Sequence, residues 1–111
     1  MTPRLTADFW VRAYLARLRL ADIPAYVTAR GDATAGAVIV KCARLDGTAC
    51  ALQRSFDLSA DRRVWVTLID GTEPDVDALL ARQRAHDPDL WLIEIESRCG
   101  QTLLDEPGLD D

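Results

Sequence analysis

Residues 86–96 read HDPDLWLIEIE, and this stretch contains the end of one helix and the start of a strand. Pro88 disfavours helical geometry in the residue before it, so the preceding helix is expected to end by Asp87. A strand is predicted from Leu90 to Ser97, because two sets of side chains alternate along it. One set is Trp91, Ile93 and Ile95, and the other is Leu92, Glu94 and Glu96.

Two segments carry the signals of an α-helix. The first has Thr6 as its capping residue and an apolar face at helical spacing, and it closes before Pro24. The second has Thr72 as its cap and Pro74 in its first turn, and it ends at the junction just described. The apolar face of the first helix contains Trp10, Val11, Tyr14, Leu15 and Leu18.

Four strands are predicted between the helices, over residues 25–30, 37–45, 48–56 and 62–69. Asp46-Gly47 separates two of them and is a strong hairpin signal. The loop from Gly31 to Gly36 is interpreted as another hairpin, with both glycines at positive φ and the Asp32 carboxylate bonded to backbone N–H groups. Short connections favour an antiparallel meander, and the second helix could make the fourth and fifth strands parallel.

The predicted fold is therefore α+β, in the order α-β-β-β-β-α-β, with a mostly antiparallel sheet and both helices packed on one face. Trp91 is expected to be a core anchor that packs beneath Leu79 and Leu80. The chain has 111 residues, which suits a single domain over residues 1–104. The acidic residues 105–111 are expected to form a disordered tail.

Composition and charge argue against several classes of protein. No apolar run approaches the ~18 residues that span a bilayer, and the N-terminus lacks an unbroken apolar stretch, so a cytoplasmic protein is expected. The net charge is −5 at neutral pH, whereas nucleic-acid binding needs a clustered basic surface. The three cysteines have no CxxC spacing, and no cofactor is expected.

Carboxylates in the quoted segment form the first candidate site. Glu94 and Glu96 share a strand face, and with Asp87 or Asp89 they offer the oxygen ligands that Mg²⁺ or Mn²⁺ prefers. Such a site would suit metal-assisted hydrolysis of a phosphoester. The alternative is a solvated sheet face, on which these glutamates pair with arginines of a neighbouring strand.

An interaction surface is the second candidate. If the helices cover the opposite face of the sheet, Trp65 lies on the open face, where an aromatic side chain suits a partner protein. Arg30 and Asp32 are assigned to the same surface, and the backbone N–H groups of their loop could also bind an anion. The alternative is that both faces are covered and the tryptophans belong to the core.

Two segments resemble an uncharacterised bacterial family, a domain of unknown function of about the same length. They are residues 30–36, RGDATAG, and residues 87–96, DPDLWLIEIE, which match RGDxxAG and DPDLWxxEIE patterns. The resemblance extends to the first helix and to Trp65, so it covers most of the chain. It implies a small cytoplasmic protein and supplies no activity, cofactor or catalytic residue.

The leading hypothesis is a non-catalytic binding or assembly module. We expect it to form a homodimer through the open sheet face or an edge strand, or to bind another protein, and to bind neither nucleic acid nor membrane. His86 beside Asp87 has no serine in a nucleophile context to act on. The alternative hypothesis is a small metal-dependent hydrolase that uses Asp87, Asp89, Glu94 and Glu96.

Overall fold

The computed structural model of the protein describes residues 5–109, and its elements follow the predicted order. They are α1 (Ala7–Leu20), β1 (Ala25–Ala29), β2 (Val38–Ala43), β3 (Thr48–Asp57), β4 (Arg62–Thr72), α2 (Glu73–His86) and β5 (Trp91–Glu96). The α+β class is confirmed. Thr6 and Thr72 cap the helices, since their hydroxyl oxygens accept hydrogen bonds from the backbone N–H groups of Phe9 and Asp75. Within residues 5–109, neither helix is long and apolar enough to cross a membrane.

The strands form one sheet in the order β1-β5-β2-β3-β4. β5 is antiparallel to β1 and parallel to β2, and the remaining pairs are antiparallel. The predicted hairpin at Asp46-Gly47 is confirmed. The predicted β1–β2 hairpin is wrong because β5 lies between these strands, and the suggested pairing of the fourth and fifth strands is wrong for the same reason. α2 returns the chain across the sheet, and β5 buries Ile93 and Ile95 at its centre.

The two helices pack on opposite faces of the sheet. α1 shares a core cluster with Val40 and Cys42 of β2, whereas α2 shares a second cluster with Ile39 and Ala51. Successive residues of a strand point to opposite faces, so the clusters lie on either side of the sheet. This corrects the predicted placement of both helices on one face. The physical reason is that β2 is buried on both sides, which requires a cover on both sides.

Trp91 is a core anchor, as predicted, but it packs on the face that was not expected. Its side chain is 2% exposed and belongs to the cluster that α1 covers. Leu80 of α2 belongs to the other cluster, so the predicted packing beneath this helix is wrong. Trp91 and Ile93 share the face of β5 that α1 covers.

The segment after β5 packs back against the domain. Leu109 is 1% exposed and joins the core cluster beneath α1. Arg17 of α1 donates hydrogen bonds to the Glu106 carboxylate and the Pro107 carbonyl oxygen, at 3.3 and 3.1 Å. This arrangement differs from the predicted disordered tail, because Leu109 supplies an apolar anchor and Gly108, at φ 88°, permits the turn before it. Residues 110 and 111 of the predicted tail lie outside the described residues.

Candidate binding surfaces

The two segments that carry the family resemblance meet in the folded chain. The backbone N–H of Asp32 donates to the Asp89 carbonyl oxygen at 2.9 Å, and the indole Nε1 of Trp91 donates to the Asp32 carbonyl oxygen at 2.8 Å. The Arg30 guanidinium lies over the Trp91 ring, 5.3 Å from its centroid. These contacts hold the loop of residues 30–36 on the junction between α2 and β5.

Gly31 and Gly36 permit this close approach. A Cβ atom on either residue would lie 2.1 or 2.3 Å from the Asp89 carbonyl oxygen, respectively. The described residues with positive φ include other glycines but neither of these two, so the prediction of positive φ here is wrong. The predicted role of the Asp32 side chain is confirmed, because its carboxylate accepts hydrogen bonds from the backbone N–H groups of Thr34 and Ala35.

Trp65 lies on the face that α1 covers and packs against the core cluster there. Its Nε1 donates to the Leu109 carbonyl oxygen at 3.1 Å, so the chain's own C-terminal segment covers part of it. The Arg54 guanidinium lies near two adjacent rings, 4.8 Å from the centroid of Trp10 and 5.0 Å from that of Trp65. The structure therefore places the three predicted surface residues in two separate contact groups.

Three of the four carboxylates of the hydrolase hypothesis have separate partners. Glu94 pairs with Lys41, Glu96 accepts a hydrogen bond from the Tyr26 hydroxyl, and Asp87 accepts one from the backbone N–H of Asp89. Within residues 5–109, no group of three or more His, Cys, Asp or Glu side chains could hold a metal ion. The geometry thus gives the hydrolase hypothesis no support.

Lys41 is the centre of a buried charge cluster that sequence reasoning missed. Its side chain is 5% exposed, and its Nζ lies 2.7 Å from Glu73, 2.7 Å from Asp77 and 3.2 Å from Glu94. Burial alone would lower the pKa of Lys41, but the hydrogen bonds to the three carboxylates raise it further than burial lowers it. The ammonium group therefore stays protonated, which does not suit a nucleophile.

One signal for this cluster is present in the sequence. Lys41 is the only lysine, and it lies in an apolar strand where an unpaired charge would be costly. Glu73 and Asp77 are one helical turn apart, so they share a face of α2. Both carboxylates lie far from Lys41 in the sequence, so their contact with it could not be predicted.

The thiol groups differ in exposure and in acidity. Cys42 and Cys50 lie opposite each other on β2 and β3, and burial raises the pKa of the Cys42 thiol to about 11. Cys99 is exposed, and a hydrogen bond with Ser97 lowers the pKa of its thiol. Cys42 is buried, as is common for a free cysteine, which behaves as a small apolar residue.

An open groove of about 1050 Å³ lies at the end of the sheet where β2 begins. The start of α1, residues 34–39, the second half of β3 and the start of β4 form its walls. Three arginines line it, Arg54, Arg62 and Arg63, together with the acidic residue Asp87. The described lining thus contains three basic side chains and one acidic one, and each of the three arginines also has a contact within the protein.

β4 forms one edge of the sheet. It has 11 residues, and in the described part of the chain it pairs only with β3. Its central residues, VWVTLI at 64–69, are mostly apolar and half-buried. An extra residue near Leu68 interrupts the register with β3, which leaves a regular stretch from Arg62 to Thr67. Among residues 5–109, no further strand lies along this outer edge.

The fold is that of a small α+β domain. Most of the charged residues that the sequence singled out have contacts within this domain. The chain belongs to the DUF1491 family, described as proteins of unknown function, whose family model matches residues 5–105. The predicted resemblance to an uncharacterised family is thereby confirmed.

Three solved structures are similar to this chain. A crystal structure and an NMR structure of a DUF1491 family protein from Caulobacter crescentus CB15 each show 40% identity and a TM-score of 0.80. The match to the crystal structure covers 93% of this chain and 95% of the chain in that structure. The match to the NMR structure covers 96% and 97%, in the same order. The solution structure of protein Atu0922 from A. tumefaciens shows 30% identity and a TM-score of 0.71. The match covers 86% of this chain and 87% of the chain in that structure. No curated protein matches the chain significantly.

Proposed function

We propose that the protein is a non-catalytic assembly module that forms a cytoplasmic homodimer through the outer edge of β4. The observation that carries the proposal is the length and composition of this strand. Its 11 residues, with an apolar centre, pair on one side only in the described chain. A long apolar edge strand is a template for pairing with another strand.

The order of charges along β4 is compatible with a second copy as the partner, and within the chain Asp70 also pairs with Arg44. Arg62 and Arg63 lie at the start of the strand, and Asp70 lies near its end. Two copies that pair antiparallel about a twofold axis place the basic end of each strand beside the acidic end of the other. The two sheets would then form one continuous sheet, and each copy would cover the edge of its partner.

Sedimentation equilibrium at tens of micromolar protein tests this proposal. We expect the wild-type chain to sediment as a dimer. The variant Thr67→Lys should sediment as a monomer, because it places a charge near the centre of the paired strands, close to the same charge of the other copy. Thr67 is exposed, so the fold tolerates the change.

Thr28→Lys is the matched control. Thr28 is an exposed threonine on β1, the strand at the opposite edge of the sheet. This variant should remain dimeric and should keep the melting temperature of the wild type within a few degrees. A wild-type chain that sediments as a monomer would refute the proposal, as would equal dissociation by both substitutions.

A further inference from the structure

The three cysteines of the chain come together at one end of the sheet and are called the cysteine cluster below. Cys42 on β2 and Cys50 on β3 are register partners, and Cys99 lies in the turn after β5. Ser97 contacts two of the thiols. Its carbonyl oxygen accepts a hydrogen bond from the Cys42 thiol at 3.8 Å, and its hydroxyl oxygen lies 3.6 Å from the Cys99 sulfur. Cys42 is therefore the middle member of the cluster.

The Cys42–Cys50 pair has the backbone geometry of a disulfide. Residues directly opposite each other on antiparallel strands point to the same face, with Cα atoms roughly 4.5–5.5 Å apart. A disulfide spans Cα atoms roughly 4.4–6.8 Å apart. Both residues carry free thiols, so an S–S bond between them needs little movement of either strand.

Exposure and acidity decide which thiol of the cluster an oxidant meets first, because the thiolate is the form that attacks it. Cys42 is fully buried. Burial raises the pKa of both strand thiols, and a hydrogen-bond interaction between them contributes to both pKa values. Cys99 is exposed, and a hydrogen bond with Ser97 lowers the pKa of its thiol. The reactive thiol toward solvent is therefore that of Cys99.

We propose that the cysteine cluster is a redox site that a hydroperoxide oxidises, once per chain, to the Cys42–Cys50 disulfide. Cys99 receives the oxygen atom, and Cys42 passes the oxidation on to the buried pair. The inference is independent of the proposed dimer, because none of these cysteines lies on β4.

Three steps connect the peroxide to the disulfide. The Cys99 thiolate attacks one peroxide oxygen, the O–O bond breaks, and Cys99 becomes a sulfenic acid while the second oxygen leaves and takes up a proton. Cys42 then attacks the Cys99 sulfur, an S–S bond forms, and the sulfenic oxygen leaves as water. Cys50 attacks the Cys42 sulfur and releases Cys99 as a thiol. Two thiols thus lose two protons and two electrons, which reduce hydrogen peroxide to two waters.

The order of acidities favours the buried disulfide as the product. In thiol–disulfide exchange, the thiol of lower pKa is the better leaving group. Cys99 has the lowered pKa, so it leaves when the Cys42–Cys99 bond is attacked. The attacking thiol is that of Cys50, which lies directly opposite Cys42.

Peptide mass spectrometry of the full chain tests the inference. The protein is treated with an equimolar amount of hydrogen peroxide at neutral pH, and the remaining thiols are blocked with iodoacetamide. Trypsin then separates the three cysteines, because it cleaves after Arg44 and after Arg98. We expect Cys42 and Cys50 in one disulfide-linked pair of peptides, and Cys99 in a peptide that carries the iodoacetamide label.

Two variants separate the steps. Cys50→Ala should accumulate the Cys42–Cys99 disulfide, because the thiol that resolves it is missing. Cys99→Ser should form the Cys42–Cys50 disulfide about tenfold more slowly or less, because the exposed thiolate is lost. Both variants should keep the wild-type circular dichroism spectrum.

Two serines provide a matched pair of controls. Ser97→Ala removes the hydroxyl beside the Cys99 sulfur and should slow the oxidation several-fold. Ser59→Ala removes a hydroxyl that bonds to Asp57 in the turn between β3 and β4, and it should react as the wild type does.

Three results would overturn the inference. The first is a wild-type chain in which Cys42 and Cys50 both remain reduced after the peroxide treatment. The second is an equal rate of disulfide formation in the wild type and in Cys99→Ser. The third is a product in which the Cys99 residues of two chains are joined. The peptide masses report the oxidation of each cysteine and leave the sedimentation test of the dimer unaffected.

Discussion

Among residues 5–109, Lys41 is the buried charged residue, so the stability of the domain depends on how its charge is paired. It lies inside β2, and its three carboxylate partners come from α2 and β5. A buried ammonium group needs such partners, since an unpaired charge in the interior is costly. The ion cluster thus ties α2 to the sheet on the face opposite α1.

Replacing Lys41 by methionine should destabilise the domain by about 3 kcal/mol at neutral pH, because the three carboxylates lose their common partner. This loss of unfolding free energy lies near the lower end of the range for broken buried ion pairs, since the carboxylates are partly exposed. Urea unfolding of both proteins measures it. Arg82→Met, which removes an exposed cation from α2, is the control and should leave the free energy of unfolding unchanged.

The pH dependence of this difference follows from the raised pKa of Lys41. A base whose pKa is higher in the folded state stabilises that state fully below its unfolded pKa, ~10.4 for lysine, and this contribution is lost as pH rises through the folded pKa. The gap between wild type and Lys41→Met should therefore be constant at mildly alkaline pH and should shrink only at strongly alkaline pH. A gap that closes near neutral pH would contradict the assigned protonation of Lys41.

At the scale of elements, the loop of residues 30–36 has hydrogen bonds of its own and is also held to its neighbours by close backbone contacts. Its two glycines lie where the Asp89 carbonyl oxygen approaches, and the Asp32 N–H donates to that oxygen. The loop also receives hydrogen bonds from the first N–H groups of α1, those of Ala7 and Asp8. It therefore joins α1 to the junction between α2 and β5.

Gly31→Ala should destabilise the domain by about 1–3 kcal/mol, as is typical of an added group that has no room. The new Cβ would meet a backbone carbonyl oxygen and the Trp91 ring, neither of which can move without disturbing the junction. Gly71→Ala is the control, because no atom lies within 4 Å of the added Cβ. Melting curves that show equal stability for the two variants would mean that the loop does not pack as described.

The limits of sequence reasoning are clearest at this scale. Caps, alternation and Asp46-Gly47 predicted every helix and strand, because those signals are local. The order of strands in the sheet was not predictable, since the glycines of residues 31–36 are compatible with a hairpin and with a close backbone approach. The faces of the sheet on which the two helices pack were predicted wrongly, because β2 is buried on both sides. Among the candidate sites, the placement of Arg30, Asp32 and Trp65 depended on that same misassigned geometry.

On the scale of the whole molecule, the C-terminal segment completes the core beneath α1. Leu109 fills a position between the helix and the sheet, and its carbonyl oxygen accepts the hydrogen bond from Trp65. Arg17 holds the same segment from α1. The domain therefore includes at least residues 5–109, and the segment belongs to the core.

Leu109→Ala should cost about 2–5 kcal/mol of unfolding free energy, as for other buried leucines. It should also change the tryptophan fluorescence of the folded protein, because Trp65 lies beneath this segment. Leu58→Ala is the control, since Leu58 is 86% exposed in the turn between β3 and β4. If Leu109→Ala unfolds at the same urea concentration as the wild type, the segment is not part of the core.

The central place of β5 has a consequence for how the protein is made. A ribosome synthesises β1 and β2 before β5, the strand that finally lies between them. Until residues 91–96 leave the exit tunnel, β1 has no neighbour and β2 has only β3. Contacts between such distant parts of a chain form slowly. The growing chain therefore exposes the edges of β1 and β2 that β5 later covers, and that is when a chaperone has the most to protect.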